Sequence, residues 1–231
     1  MSKAKTTNYT QTNSKQQLEH KAAGVFGGSF DPVHFGHLRA ALELALTFGL
    51  ESVRLVPNHQ PPHRDSANVS AGHRIEMLKL ALQQCDQLQL DTREMDRDGP
   101  SYTFDTLRSM REEFGNNTPI IFGMGADAFE KIASWYRADE LLDVASIAVL
   151  SRPGSDVNAI TGQELPFSAH WVSDADALLG APCGLLYKLE MTPLAISSTR
   201  IREQIARGWA SDFLLPETVC SYIERHELYR A

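Results

Sequence analysis

Cysteine is scarce in this sequence. Cys85, Cys183 and Cys220 are the only three in 231 residues, their number is odd, and no two form a CxxC pair. A disulfide framework and a zinc ribbon are therefore disfavoured, and a reducing, cytoplasmic setting is expected. Positive charge is also short. Lys and Arg total 22 against 29 Asp and Glu, giving a net charge of −7, the reverse of the basic face that a dedicated nucleic-acid binder presents. No apolar run approaches the roughly 20 residues of a membrane span. The first twenty residues, MSKAKTTNYTQTNSKQQLEH, lack the apolar core of a signal peptide. Neither nucleic acid nor membrane is expected as a partner. Glycine (15) and proline (11) are too few for a collagen-like or low-complexity chain.

What is present reads as a globular domain. The chain is 42% hydrophobic and 22% charged, and a length of this order buries roughly 70% of the unfolded surface without staples. After a polar stretch expected to be a disordered tail (1–20), the sequence alternates between two textures. Short apolar runs at Ala22–Phe26, Ser52–Pro57, Leu88–Leu90, Ile120–Gly123, Ser146–Leu150 and Leu185–Leu189 read as strands. Between them lie helical patterns. Leu38, Ala41, Leu42, Ala45 and Leu46 share one face, and Ser70 caps a helix carrying Ile75, Leu78 and Leu82. Phe104, Leu107 and Phe114 form a third stripe with Arg111 as its polar interruption, and another helix begins near Ala126. Ser198–Arg207 and Pro216–Leu228 close the chain, and Arg152–Gly184 reads as a long irregular excursion. This alternation predicts an α/β fold, a Rossmann-like doubly wound parallel sheet with helices on both faces, in a single domain over 21–231.

The first strand-to-helix junction, Gly27-Gly28-Ser29-Phe30-Asp31-Pro32-Val33-His34-Phe35-Gly36-His37-Leu38, sits where open α/β sheets place their ligands. Glycines let backbone approach a phosphate, and a helix start offers free N–H groups. His34 and His37 are three apart and share a face if the helix begins beside them. Two imidazoles there suit charge building on phosphoryl oxygens. Metal ligation without a third ligand, or ordinary half-buried histidines, are the plainer alternatives. The glycine spacing fits neither GxGxxG nor GxxxxGK[ST]. Further on, Ser197-Ser198-Thr199 with Arg202 one turn later places hydroxyls, amides and a guanidinium together, which is triphosphate chemistry or simply an N-cap. Ser101-Tyr102-Thr103 opens a helix whose amides could receive a carboxylate, or merely caps it. Trp135 offers a flat face to a cationic pyridine ring, or is a core aromatic.

Taken in order, the first segment, Val56-Pro57-Asn58-His59-Gln60-Pro61-Pro62-His63-Arg64, Ser101–Leu107, Gly123-Met124-Gly125-Ala126-Asp127, Trp135, Arg152-Pro153-Gly154 and Ile196–Arg202 resemble the bacterial nicotinate-nucleotide adenylyltransferases. These belong to the nucleotidyltransferase superfamily with the (H/T)xGH signature. The resemblance spans about residues 22–228, making 21–231 a nucleotidyltransferase domain.

The resemblance implies adenylyl transfer from ATP to nicotinate mononucleotide, giving nicotinate adenine dinucleotide and pyrophosphate. In that reading His34 and His37 are catalytic. Gly27, Gly28, Ser29 and Phe30 line the floor where the substrates meet, and Ser197, Ser198, Thr199 and Arg202 hold ATP phosphates. Gly123 and Asp127 touch adenosine or the second substrate. Tyr102, Thr103, Trp135 and Tyr136 bind the mononucleotide. Arg64 stands where the family usually has Lys and is a phosphate-contact candidate. Mg²⁺ accompanies ATP, with no dedicated protein metal site. His20, His73, His170 and His226 are expected at the surface. Other acceptors, such as nicotinamide mononucleotide or phosphopantetheine, are alternatives, as is a catalytically silent nucleotide-binding regulator.

Overall fold

Residues 22–59, 68–151 and 170–230 are described by the computed structural model. They form one seven-stranded sheet in the order β3-β2-β1-β4-β5-β7-β6. The strands are β1 (Ala23–Gly28), β2 (Val53–Pro57), β3 (Leu88–Leu90), β4 (Ile120–Gly125), β5 (Ser146–Ser151), β6 (Trp171–Val172) and β7 (Leu186–Glu190). Every pairing is parallel. Each strand must then be reached by a crossover, and the helices supply it. They are α1 (Phe35–Thr47), α2 (Ala71–Leu82), α3 (Thr103–Phe114), α4 (Ala126–Phe129), α5 (Leu141–Val144), α6 (Asp176–Gly180), α7 (Ser198–Ala206) and α8 (Glu217–Arg225).

Alternate residues of a strand face opposite sides, and the two cores follow that rule. Phe26, Ile121, Ala148 and Leu150 pack on one side with α1, α2, α7 and α8, through residues such as Leu44, Leu78, Ile201 and Ile223. Val25, Phe122, Ile147 and Val149 pack on the other with α3, α4 and α5, through Leu107, Phe129 and Leu141. Helices on both faces are what the near-continuous apolar strands require.

Several expectations shift in detail. β1 and β4 each run two residues further than the apolar run suggested, carrying Gly27-Gly28 and Met124-Gly125 in extended form. The helix expected from Ala126 is only four residues long and gives way to two short 3₁₀ turns at Ile132–Ser134 and Ala138–Glu140. The end of the Arg152–Gly184 excursion carries β6 and α6, which sequence periodicity did not show; residues 152–169 lie outside the described residues, as does the expected 1–20 tail. Arg111, the polar interruption of its stripe, is buried rather than turned to solvent, and its guanidinium donates to the carbonyls of Gly115, Thr118, Val144 and Pro182 at 2.5–3.2 Å. That set binds the end of α3 to the end of α5.

From β1 the chain moves outward to β2 and β3, then returns across the sheet to β4 and β5. The carboxyl ends of β1 and β4 diverge at this reversal and leave a crevice, the position at which such sheets bind ligands.

Candidate active site

A cavity of about 670 Å³ occupies that crevice, floored by Phe26, Gly27 and Gly28 of β1 with Ser29 just beyond it, and by Phe122, Met124 and Gly125 of β4. His34 is the N-cap of α1. Its extended backbone (φ −148°, ψ 168°) lets Nδ1 accept the His37 N–H at 3.3 Å. The two rings stack with centroids 3.6 Å apart and planes 17° from parallel. A Cβ on Gly36 would come within 3.0 Å of the His34 ring, so glycine at that position is what allows the stack. Burial, with the neighbouring His34 adding to it, holds the His37 pKa well below the usual histidine range. Its Nδ1 is buried and has no hydrogen-bond partner among the described residues. The resting His37 is thus a neutral imidazole, with a hydrogen bond rather than a fixed positive charge to offer.

Across the crevice α7 begins with Ser197 as its N-cap, accepting from Arg200 N at 3.3 Å. Ser198 Oγ donates to the carbonyl of Pro32 at 3.0 Å, and Arg202 donates to the carbonyl of Asp31 at 2.6 Å. The start of α7 is therefore stitched to the turn after β1, which brings Ser197, Ser198, Thr199 and Arg202 into the same cavity wall as the histidines. At the other end of the cavity Tyr102 and Thr103 open α3, facing Trp135 and Tyr136. The Tyr102 and Tyr136 rings lie 4.3 Å apart, tilted by 30°. Trp135 is half-buried and packs against the core on that side of the sheet, so its ring has both a core edge and a cavity edge. Asp127 also lines the cavity.

The model of the cytidylyltransferase-like family matches residues 25–204. A protein of Pseudomonas putida strain W619 named "Probable nicotinate-nucleotide adenylyltransferase" is 46% identical over 208 residues, covering 90% of this chain and 94% of its own. One of the same name from Pseudomonas aeruginosa strain UCBPP-PA14 is 44% identical over 211 residues, 91% of this chain and 98% of its own. The chain belongs to the nicotinate-nucleotide adenylyltransferase family. Among solved structures, the nicotinic acid mononucleotide adenylyltransferase of Plasmodium falciparum complexed with NaAD superposes with a TM-score of 0.69 at 18% identity, covering 91% of this chain and 98% of that one; at this identity the likeness speaks for the fold.

Within this nicotinate-nucleotide adenylyltransferase fold, two of the expected site residues do not face the cavity. Phe30 is wholly buried, with its ring under Gly28 and edge-on to His37 at 5.1 Å. It holds a left-handed backbone (φ 48°), a strained state for a residue with a Cβ, and so is a wedge supporting the histidines from beneath. Gly123 is buried beside α1. A Cβ there would meet Leu44 Cδ2 at 2.9 Å, so the glycine serves helix-on-sheet packing, and Gly125, two residues on, reaches the cavity instead. Arg64, His63 and Arg152–Gly154 lie outside the described residues.

The family member also uses residues that the motifs did not mark. Arg74 of α2 is almost fully buried and donates to the carbonyls of Ser29 (2.8 Å) and Asn58 (2.7 Å), fixing the floor from behind. The Asp31 carboxylate accepts from Asn68 N (2.9 Å), Asn68 Nδ2 (3.0 Å) and the Tyr229 hydroxyl (2.7 Å). Glu43 of α1 accepts from Arg39 Nε (2.5 Å), Thr192 N (2.9 Å) and the Thr192 hydroxyl, bringing the segment after β7 to the cavity rim. Against a desolvation that pushes it up, these bonds hold the Glu43 pKa below its usual value. Glu94 lines the cavity beside Ser101; burial raises its pKa, and the Thr106 hydroxyl at 2.6 Å only partly opposes this. A charged residue inside an otherwise apolar pattern is the one signal that could have flagged Arg74 and Glu43. His73, expected alone at the surface, meets the Tyr222 hydroxyl at 2.9 Å and lies 5.4 Å from His226 where α2 and α8 touch.

Proposed function

We propose that the protein transfers the adenylyl group of ATP to nicotinate mononucleotide, releasing pyrophosphate and forming nicotinate adenine dinucleotide. The observation that carries this is the placement, in one cavity, of the stacked His34–His37 pair and the α7 start at one end and the Tyr102–Thr103/Trp135–Tyr136 slot at the other. A triphosphate suits the first end and an aromatic carboxylate the second.

A phosphate oxygen of the mononucleotide forms a new bond to the α-phosphorus of ATP. The α–β bridging P–O bond breaks, and pyrophosphate leaves with the electron pair. Because the nucleophile arrives on the substrate, the protein's task is alignment and charge stabilisation. His34 and His37 donate to α-phosphate and leaving-group oxygens. The amides and hydroxyls of Ser197, Ser198 and Thr199, with Arg202, hold the β- and γ-phosphates. Gly27, Gly28 and Ser29 form the floor, and Asp127 contacts the nucleoside end. The α3 amides at Thr103 favour a carboxylate over a neutral amide, while Trp135 stacks on the pyridinium ring. Among the described residues no three His, Cys, Asp or Glu side chains gather as a metal site. The divalent cation, Mg²⁺ in this reading, comes as part of the ATP substrate, held by phosphates and water. Among the described residues no helix is long and apolar enough to cross a membrane. We place the activity in the cytoplasm, in keeping with three unpaired cysteines.

The deciding experiment incubates purified protein with Mg²⁺-ATP and either nicotinate or nicotinamide mononucleotide, measuring dinucleotide and pyrophosphate. Both products are expected with the nicotinate form, at a clearly higher kcat/KM. Equal efficiency on the two acceptors would remove the carboxylate assignment, and no pyrophosphate with either would remove the activity.

A further inference from the structure

The second-substrate slot has two walls that belong to different elements. One is the first turn of α3, with Tyr102 and Thr103; the other is Trp135 and Tyr136, carried between two 3₁₀ turns. Isolated 3₁₀ turns hold their shape weakly, so the spacing of the walls depends on side chains that cross between them. Two such contacts stand out. The Tyr102–Tyr136 ring pair, at 4.3 Å, is made by wall residues themselves. The other is made from outside the slot. The Arg137 guanidinium lies 3.8 Å over the ring of Phe104, the second residue of α3. Glu140 holds that guanidinium in place through Nε at 2.5 Å and through a second ion pair from Nη2. Arg108, the other cation near this ring, stands further off at 5.7 Å and is paired with Asp105 at 3.3 Å, so it does not replace Arg137.

From this we infer that Arg137 is a positioning residue for the mononucleotide slot, clamping the Trp135–Tyr136 wall to the α3 amides so that pyridine ring and carboxylate are held together. Arg137 does not itself line the cavity, and it lies at the end of the site away from His34 and His37. Its planar, delocalised cation suits stacking on an aromatic face in a way that a lysine ammonium does not. The effect should fall on one substrate. The inference rests on the function proposed above, because only that reading makes the slot a nicotinate site.

The test compares wild type with Arg137→Asn, Arg137→Lys and Glu140→Gln in the dinucleotide-forming assay, with thermal unfolding alongside. Asparagine tolerates the left-handed backbone at this position (φ 52°), so the substitution removes the clamp without adding backbone strain. Arg137→Asn is expected to raise KM for nicotinate mononucleotide about ten-fold, the scale of one lost stacked cation. KM for ATP should stay within about two-fold, and preference over the nicotinamide form should fall. Arg137→Lys should recover only part of the loss, and Glu140→Gln should sit between. Unchanged KM for the mononucleotide overturns the inference. So does a rise in both KM values together with a lowered unfolding temperature, which would mark a merely structural role. Wild-type turnover of nicotinate mononucleotide is the control: its absence defeats the proposed function, whereas its presence with an unmoved Arg137→Asn KM defeats only the clamp.

Discussion

The Tyr229 hydroxyl donates to Asp31 Oδ1 at 2.7 Å, joining positions 198 residues apart. Asp31 is also the residue whose backbone carbonyl receives Arg202, so the segment beyond α8 braces the turn that supports the proposed phosphate end. Burial, with the Asp31 carboxylate reinforcing it, drives the Tyr229 pKa far upward, and the phenol stays a donor across the working pH range.

Tyr229→Phe removes that donor and nothing else of comparable size. We expect a loss of about 1.5–3 kcal/mol in unfolding free energy, the range for a hydrogen bond to a charged group, and a raised KM for ATP with little change in KM for the mononucleotide. Urea unfolding and initial-rate kinetics check both. Equal KM for ATP in wild type and variant would separate Asp31 bracing from the phosphate site.

His37→Ala should lower kcat by about two orders of magnitude or more, as for other preorganised donors aimed at developing oxyanion charge. Far-ultraviolet circular dichroism should be unaltered. Near-normal turnover would contradict the assigned role.

The same histidine makes stability depend on pH in a defined direction. Its folded pKa lies well below the usual value of about 6.5. The unfolded chain therefore binds the proton first as pH falls, and folding stability drops on acidification below about pH 6.5, by up to about 1.4 kcal/mol per pH unit from this group. His37→Gln should abolish that share. Parallel wild-type and variant stability curves between pH 7.5 and 5 would refute it.

Arg74→Met keeps most of the buried volume while taking the donors from the Ser29 and Asn58 carbonyls. A loss of about 3 kcal/mol is expected, as for other buried polar groups stripped of a charged partner. For a chain of this size that is roughly 6–12 °C in unfolding temperature.

Much of this was legible beforehand, and the misses share causes. Six strands could be read because a parallel sheet covered on both faces demands apolar runs; Trp171–Val172 is too short to show a period. His34 and His37 were legible as a pair because helical spacing places residues three apart on one face. The place of the Phe30 side chain was not legible because neighbours in a turn point different ways: Ser29 lines the cavity while the next side chain enters the core. Arg74, Arg111 and Glu43 were missed because charge normally signals solvent. Only tertiary placement shows that carbonyls, or an amide and a hydroxyl, replace the water. The mark left by Gly123 is also tertiary, since what matters there is Leu44 on another element.

The bond from the His37 amide to His34 Nδ1 fixes a tautomer. With that lone pair occupied, the proton of a neutral His34 resides on Nε2, which makes that nitrogen a donor. In the proposed mechanism one imidazole thereby starts a helix with one nitrogen and stabilises phosphate charge with the other. Replacing it by asparagine would keep the first task and forfeit the second, which makes His34→Asn the substitution that separates architecture from chemistry in a single side chain.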